Sequence, residues 1–255
     1  MSGQPRTVVI TGASRGIGEA TARLFGERGD HVVLAARSAG DIGRIAAEIR
    51  ERGGSATAVA CDVARHDDVK SLIGKALEHD GRLDVLVNNA AVIEPIALLA
   101  ESDPEAWAAS VDINLKGVYF GLREAIPAML DQGGGTIINI SSGAATGAIE
   151  GWSHYCSTKA AVLSLTRCVH GEYGGRGIRI VGLSPGTVAT DMQRKIKASG
   201  INPVSRLDFS VHIPPEWVAR AIEHLCGSGG DAWLGRDFSL KTDEGRAAIG
   251  LPPVG

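Results

Sequence analysis

Short apolar, β-branched runs alternate with amphipathic stretches along nearly the whole chain. Thr7–Ile10, His31–Ala35, Ala56–Ala60, Leu83–Val87, Thr136–Ile140 and Ile178–Val181 are each four or five residues long. Most show little polar alternation, which predicts strands buried on both faces of a parallel sheet. Asp237–Leu240 predicts a seventh, shorter strand. Between these runs the apolar period becomes helical. It is carried by Ala20, Leu24 and Phe25, then by Ile42, Ile45, Ala46 and Ile49, then by Val69, Leu72, Ile73 and Leu77. A long pattern from Pro104 through Trp107, Val111, Leu115, Leu122 and Ile126 ends at Gly133-Gly134-Gly135. Another opens at Tyr155 and runs through Val162, Leu165 and Val169 to Gly174-Gly175, and a last one follows Pro214-Pro215. Strand and helix in turn predict a doubly wound three-layer α/β fold. From Asp191 to Ile213 the periodicity is poor, with Gly200 and Pro203 inside. Residues 190–213 are therefore the expected substrate lid. With no repeat and no linker, 1–255 reads as a single domain.

The first strand runs straight into Thr11-Gly12-Ala13-Ser14-Arg15-Gly16-Ile17-Gly18, and a helix follows. Strand, glycine-rich turn and helix form the setting of a Rossmann-type dinucleotide site. The glycines allow a tight turn and a close approach to a pyrophosphate, and the helix N-terminus offers free N–H groups. The same residues spell G-x-S-x-G, the nucleophile-elbow pattern of α/β-hydrolases, with Ser14 as the nucleophile. That elbow usually lies deep in the chain, whereas here it follows the first strand, and no HGGG-type loop accompanies it.

The second strand ends in Ala36-Arg37-Ser38 with no carboxylate to grip a ribose 2′-hydroxyl. Arg37 and Arg15 are instead suited to a 2′-phosphate, through charge-assisted bonds. This favours NADP(H) over NAD(H); the plain alternative is two solvated arginines. Asp62, past the third strand, is placed either to accept from an adenine amino group or to cap the helix beginning near Arg65. Asn88 and Asn89, past the fourth strand, are suited to bridging neighbouring strands. Asn114 lies inside a long apolar helical pattern, where a buried amide must find partners.

Tyr155 and Lys159 are four residues apart, on one face of a helix. A phenol titrates near about 10, and a cation within about 4–6 Å favours its phenolate. That would bring Tyr155 into range as an acid or base, with Ser142 at the end of the fifth strand to hold the oxygen being protonated. Taken alone, such a pair is equally a packed tyrosine and a solvated lysine.

Composition removes other classes. A net charge of −3 gives no reason to propose nucleic acid or an acidic membrane as partner. The apolar runs fall short of the ~20 residues that a bilayer requires. The polar stretch Met1 to Arg6 lacks a signal-peptide core. Cys61, Cys156, Cys168 and Cys226 are scattered without metal-ligand spacing, which suits reduced thiols in a cytoplasmic protein and no metal.

In order and spacing, Thr11-Gly12-x-x-x-Gly16-Ile17-Gly18, Asn88-Asn89-Ala90, Asn114, Ser142, Tyr155-x-x-x-Lys159 and Pro185-Gly186 resemble the short-chain dehydrogenase/reductase family, over almost the whole chain. The resemblance implies a seven-stranded parallel sheet with its ligand at the carboxyl ends of the strands. It implies hydride transfer between a nicotinamide and a carbonyl or secondary alcohol. Tyr155 would be the acid/base. Lys159 would lower its pKa and hold the ribose, Ser142 would orient the substrate, and Asn114 would serve a proton relay. Cofactor contacts would come from Gly12, Ser14, Arg15, Gly16, Ile17, Gly18, Arg37, Asp62, Val63, Asn89, Ala90, Tyr155, Lys159, Pro185, Gly186, Val188 and Thr190. Substrate contacts would come from Ser142, Tyr155, Trp152 and Met192. A homodimer or homotetramer is implied as well. The alternative class is a nucleotide-binding sensor or scaffold without catalysis. Two departures stand out: Ala91 replaces the family's usual Gly, and the C-terminal region lacks its Val-Asp-Gly-Gly segment.

Overall fold

The computed structural model describes residues 5–254; Met1 to Gln4 of the polar N-terminus and Gly255 of the Pro/Gly tail lie outside the described residues. Seven parallel strands form one sheet in the order β3-β2-β1-β4-β5-β6-β7. They are β1 (Thr7–Thr11), β2 (His31–Ala36), β3 (Ser55–Ala60), β4 (Val85–Asn88), β5 (Gly135–Ile140), β6 (Ile178–Ser184) and β7 (Asp237–Ser239). The order reverses between β1 and β4, and a crevice opens there at the carboxyl ends.

The helices are α1 (Gly16–Glu27), α2 (Ala39–Glu51), α3 (His66–Asp80), α4 (Pro104–Val111), α5 (Gly117–Asp131), α6 (Ser153–Tyr173), α7 (Asp191–Ser199), α8 (Pro215–Cys226) and α9 (Asp243–Ala248). One face of the sheet is covered by α1, α2 and α8, with Phe25, Ile42, Ile45 and Ile222 fully buried against Ile10, Leu34 and Phe238. The other is covered by α3, α5 and α6, with Leu72, Met129 and Val162 packed in one cluster with Ile137 of β5. Each large aliphatic side chain so enclosed contributes roughly 1.5–3 kcal/mol.

The structure departs from the sequence pattern in three places. The fourth strand begins at Val85, not Leu83, because the Gln132 side chain takes both main-chain groups of Leu83, at 2.9 and 2.8 Å. The helical pattern beginning at Pro104 is not continuous: a π-turn at Asp112–Lys116 separates α4 from α5. Residues 191–199, expected to be irregular, form α7, which buries only Gln193 and Ile196 and stops at Gly200 in the left-handed region, φ +67. An element with so few apolar positions leaves little periodicity to read.

An asparagine next to the carboxyl end of β5 ties the layers together. Asn88 Nδ2 donates to Asn139 Oδ1 at 2.9 Å, and Asn139 Nδ2 donates to Thr166 Oγ1 at 3.0 Å. One side chain thus joins β4, β5 and α6 inside the apolar core. Replacing Asn139 by Ala leaves the Asn88 amide nitrogen without its acceptor, while Thr166 keeps its own bond to the Val162 carbonyl at 3.0 Å, and should cost about 1–3 kcal/mol. Urea unfolding of Asn139→Ala checks this, and a variant as stable as wild type would refute it.

Candidate active site

A cavity of about 890 Å³ opens over the carboxyl ends of the strands. At one end the turn after β1 takes the left-handed conformation at Gly12 (φ +65) and Gly16 (φ +58). A Cβ on Gly12 would lie 2.8 Å from the Ala90 Cα, so only glycine lets the turn pass under the β4 edge. Gly18 does not line the cavity. It lets α1 press onto the turn, since a Cβ there would come within 2.3 Å of the Gly12 carbonyl oxygen. Asn89 Nδ2 holds the same turn by donating to the carbonyls of Thr11 and Gly12 at 2.9 and 3.1 Å. The expected bridging role of the two amides is thereby seen. Arg15, at the N-cap of α1, supplies no side-chain cap. The first N–H groups of the helix are left for an anion, and the turn fits a pyrophosphate.

Beside it, Ser14, Arg15, Gly16, Ile17, Arg37, Asp62, Val63, Asn89 and Ala90 all line the cavity. Arg37 is exposed and has no ion-pair partner among the described residues. Arg15 is not simply solvated: it reaches Asp191 of α7, at 3.5 Å. An exposed pair of this kind is worth about 0–1 kcal/mol, so it yields easily to a phosphate. The expected alternative of Asp62 as a cap for α3 is not seen. Its Oδ1 accepts from the Ala64 N–H at 3.1 Å, and the N-cap position belongs to Arg65. Ala91 also lines the cavity, and no non-glycine residue among the described residues has a positive φ, so its methyl is carried without backbone strain.

At the other end, Ser142, Tyr155 and Lys159 converge. Tyr155 and Lys159 are buried, at 8% and 3% exposure. Lys159 Nζ donates to the Ile140 carbonyl at 2.6 Å and sits 5.5 Å from the centre of the Tyr155 ring. Burial pushes the phenol up to about 12, opposed by the nearby Ser142 hydroxyl. This corrects the expectation of a lowered tyrosine. Burial also depresses Lys159, to about 8, and its ammonium is committed to Ile140, so the loss of hydration dominates the phenol. Ser142 Oγ accepts from the Ala144 N–H at 3.2 Å. Asn114 lies on the π-turn, fully buried and outside the cavity lining. Its amide clasps Val92, accepting from the N–H and donating to the carbonyl, both at 2.8 Å. Both the oxygen and the nitrogen of the side chain are thus engaged.

Asp237 was not among the sequence candidates. It opens β7, its Oδ2 accepts from Ser141 Oγ at 3.3 Å, and its field favours the charged form of Lys159. Burial pushes its carboxyl up to about 6. The signal for it was a carboxylate opening a short strand, but the neighbour that gives it meaning, Ser141, is 96 residues away.

Pro185 and Gly186 leave β6 along the cavity wall, followed by Val188 and Thr190, the N-cap of α7. Val188 pairs with Ile213, and the N–H groups of Ala189 and Ile213 bond to the carbonyls of Ile213 and Thr187, at 2.9 and 3.0 Å. The segment between them is therefore closed at its base. Met192, Trp152, Ile93, Ile149 and Ile196 form an apolar wall beside Tyr155. Ser14 makes no hydrogen bond to a histidine among the described residues, which gives the hydrolase reading no base. No cluster of potential metal ligands occurs among the described residues.

The geometry agrees with comparisons to known proteins. A family model for short chain dehydrogenases matches residues 6–200. The chain is 36% identical over 237 residues to a 3-oxoacyl-(acyl-carrier-protein) reductase of Synechocystis, covering 92% of this chain and 95% of the relative. It is also 36% identical over 252 residues to a cis-4-hydroxycyclohexanecarboxylate dehydrogenase of Sinomonas cyclohexanicum, covering 96% and 97%. Among solved structures, a variant actinorhodin polyketide ketoreductase with NADPH aligns with a TM-score of 0.85 at 28% identity, covering 92% of this chain and 95% of that one.

The buried pair generates a titration test. The Lys159 ammonium should titrate near pH 8, and Asp237→Asn, which removes a favourable negative charge, should lower that midpoint. Carbon-13 NMR of the lysine ε-carbons in the protein without cofactor reads it; a midpoint unmoved in the variant would dismiss the coupling. Linkage gives a second readout. The folded state binds fewer protons at Lys159 than the unfolded chain between about pH 8 and 10.5. Stability therefore rises with pH through the lower part of that window. Above about pH 9 the buried thiols of Cys61 and Cys226, both pushed up to about 12, act in the opposite sense, and Tyr155 joins them above pH 10. The Lys159 contribution is therefore read as a difference: the urea midpoint of wild type relative to Lys159→Met should rise between pH 8 and 10, and a constant difference would refute it.

Proposed function

The chain belongs to the short-chain dehydrogenase/reductase family, and on that premise we propose that this oxidoreductase transfers a hydride between NADP(H) and a ketone or secondary alcohol. The observation that carries the proposal is that Ser142, Tyr155 and Lys159 share one cavity with an uncapped, glycine-rich helix N-terminus. The turn from Gly12 to Gly18 holds the pyrophosphate, and Arg15 and Arg37 hold the 2′-phosphate. Asp62, Val63, Asn89 and Ala90 flank the adenosine side. Pro185, Gly186, Val188 and Thr190 seat the nicotinamide, whose C4 supplies or takes up the hydride when it is bound.

Ser142 orients the substrate oxygen toward Tyr155. A phenol held near 12 is protonated throughout the neutral range, so it is ready to give its proton to an oxygen that gains charge as the carbonyl carbon is reduced. In that direction a new C–H bond and a new O–H bond form, and the phenolate left on Tyr155 is stabilised by the Lys159 ammonium. The proton is restored through Lys159, in a relay that Asn114 serves. In the reverse direction Tyr155 accepts the proton from an alcohol. The NADP(H) preference suits reduction.

The segment over residues 190–213 acts as the lid, with Met192 and Trp152 against the substrate. No helix among the described residues is long and apolar enough to cross a membrane. The exposed Tyr119 on α5 and Leu99, at 47% and 69% exposure, suit self-association as a homodimer or homotetramer.

Two variants test the proposal. Tyr155→Phe should lose about 10²–10⁴-fold in turnover while still binding NADPH, followed by cofactor fluorescence; retained turnover would sink the assignment. Arg37→Ala should reduce the preference for NADPH over NADH by about 10–100-fold, the worth of a charged hydrogen-bonded contact. Equal loss for both cofactors would show that Arg37 does not read the 2′-phosphate.

A further inference from the structure

Lys241 is an exposed cation in the cavity lining, and the reading of the site so far gives it no task. It falls in the C-terminal region that lacks the family's Val-Asp-Gly-Gly segment. Its main chain is fixed. The Leu240 N–H donates to the Ser184 carbonyl at 3.0 Å, and the Lys241 N–H donates to Ser239 Oγ at 3.2 Å. Its stem rests on Gly186, which takes the left-handed conformation at φ +77. A Cβ on Gly186 would lie 2.8 Å from the lysine Cγ and 3.4 Å from its Cδ. The glycine thus makes room for the lysine stem on the turn that leaves β6 along the cavity wall. The Lys241 ammonium takes part in no hydrogen bond or ion pair among the described residues.

The other cations of the lining are mostly committed. Arg15 and Arg194 meet Asp191, Lys195 meets Glu94, and Arg23 meets Glu19 and Glu48. Lys159 is held on the Ile140 carbonyl. Among the described residues, Arg37 and Lys241 are left without a partner, one after β2 and the other after β7. The acidic groups of the cofactor already have their places, on the turn from Gly12 to Gly18 and on Arg15 and Arg37. The nicotinamide, seated on Pro185 and Gly186, carries no acidic group. A cation beside that seat is therefore free for an anionic group of the molecule that reacts there. Glu216 also lines the cavity and makes no ion pair, so Lys241 is not spent on it. The wall of Ile93, Ile149, Trp152, Met192 and Ile196 is apolar. A charge placed against that wall would lose hydration without a counter-charge, which confines it to the lysine end.

We propose that Lys241 is a substrate-binding residue that takes a carboxylate, and that the substrate is an oxo acid or hydroxy acid with an apolar body between its two functional groups. This rests on the oxidoreductase reading of the same site. The reacting oxygen lies on Ser142 and Tyr155 and the carboxylate on Lys241, and the two contacts together select which carbon of the body is presented for hydride transfer.

The test compares 4-oxopentanoate, 5-oxohexanoate, 3-oxocyclohexanecarboxylate and 4-oxocyclohexanecarboxylate, each against its primary amide, with NADPH. Wild type should favour at least one acid over its amide by about tenfold in kcat/KM, the worth of a charged hydrogen bond. That preference should shrink as salt is raised. In Lys241→Met, which keeps a stem without the charge, the ratio should fall to about one, and Lys241→Arg should keep most of it. Lys195→Met is the comparison, because its exposed pair with Glu94 is weak enough to exchange partners; it should keep the preference. NADPH binding, followed by cofactor fluorescence, should persist in every variant. Turnover of the ketones with no preference for any acid, or a preference that survives in Lys241→Met, overturns the inference and leaves the oxidoreductase reading standing. A preference lost in Lys195→Met and kept in Lys241→Met moves the carboxylate to the lid and overturns the assignment. Loss of NADPH binding in Lys241→Met, with binding kept in Lys241→Arg, gives the cation to a cofactor phosphate and overturns it as well. No turnover of any ketone by wild type overturns both readings.

Discussion

A buried ammonium sets the geometry of this molecule. Lys159 lies in the core with its Nζ on the carbonyl of Ile140, and a charge without water must have such a partner. The bond pins α6 to the end of β5. Ser142 lies two residues beyond that carbonyl, and Tyr155 lies one helical turn before the lysine. The positions of both follow from one contact between a helix and a strand. Asn139 and Thr166 make a second tie farther down the same pair of elements, so α6 has little freedom to slide.

Burial acts on the two titratable groups in opposite directions. It raises the phenol and lowers the ammonium, because each is pushed toward its neutral form. The site therefore holds a proton donor that stays protonated beside an amine that titrates near physiological pH. Asp237, itself raised by burial, works against part of the lysine shift through its charge. Three titratable groups, Asp237 from β7 and Tyr155 and Lys159 from α6, are thus raised or lowered by the same loss of water.

Much of this was legible in the sequence. The strands were marked by apolar runs, and the turn after β1 by Gly12 and Gly16, whose left-handed backbone few other residues adopt cheaply. The residues that line the cavity sit directly after those strands, so their place followed from the topology. What stayed hidden depends on contacts distant in sequence. Asp237 gains its meaning from Ser141, and Leu83 leaves its strand because of Gln132. The tyrosine was misjudged for a related reason. Spacing shows that a cation is near, but not how much water both groups lose. The helix α7 was missed because charged residues dominate it, and its clearest mark was the glycine that ends it.

The π-turn at Asp112–Lys116 has a further consequence for the phase of the long helical stretch that contains it. An extra residue within a turn rotates everything beyond it by about 100° relative to an unbroken α-helix. Before the turn, α4 directs Trp107 to Ser153 at the start of α6. Beyond it, α5 lays Val118, Leu122, Ala125 and Met129 on the sheet. The two segments can each face their own neighbour only because of that offset. A chain one residue shorter here would set the same side chains on a straight rod. The indole and the sheet-facing stripe would then compete for a single orientation, and the amide that clasps Val92 would turn away with whichever half gave way.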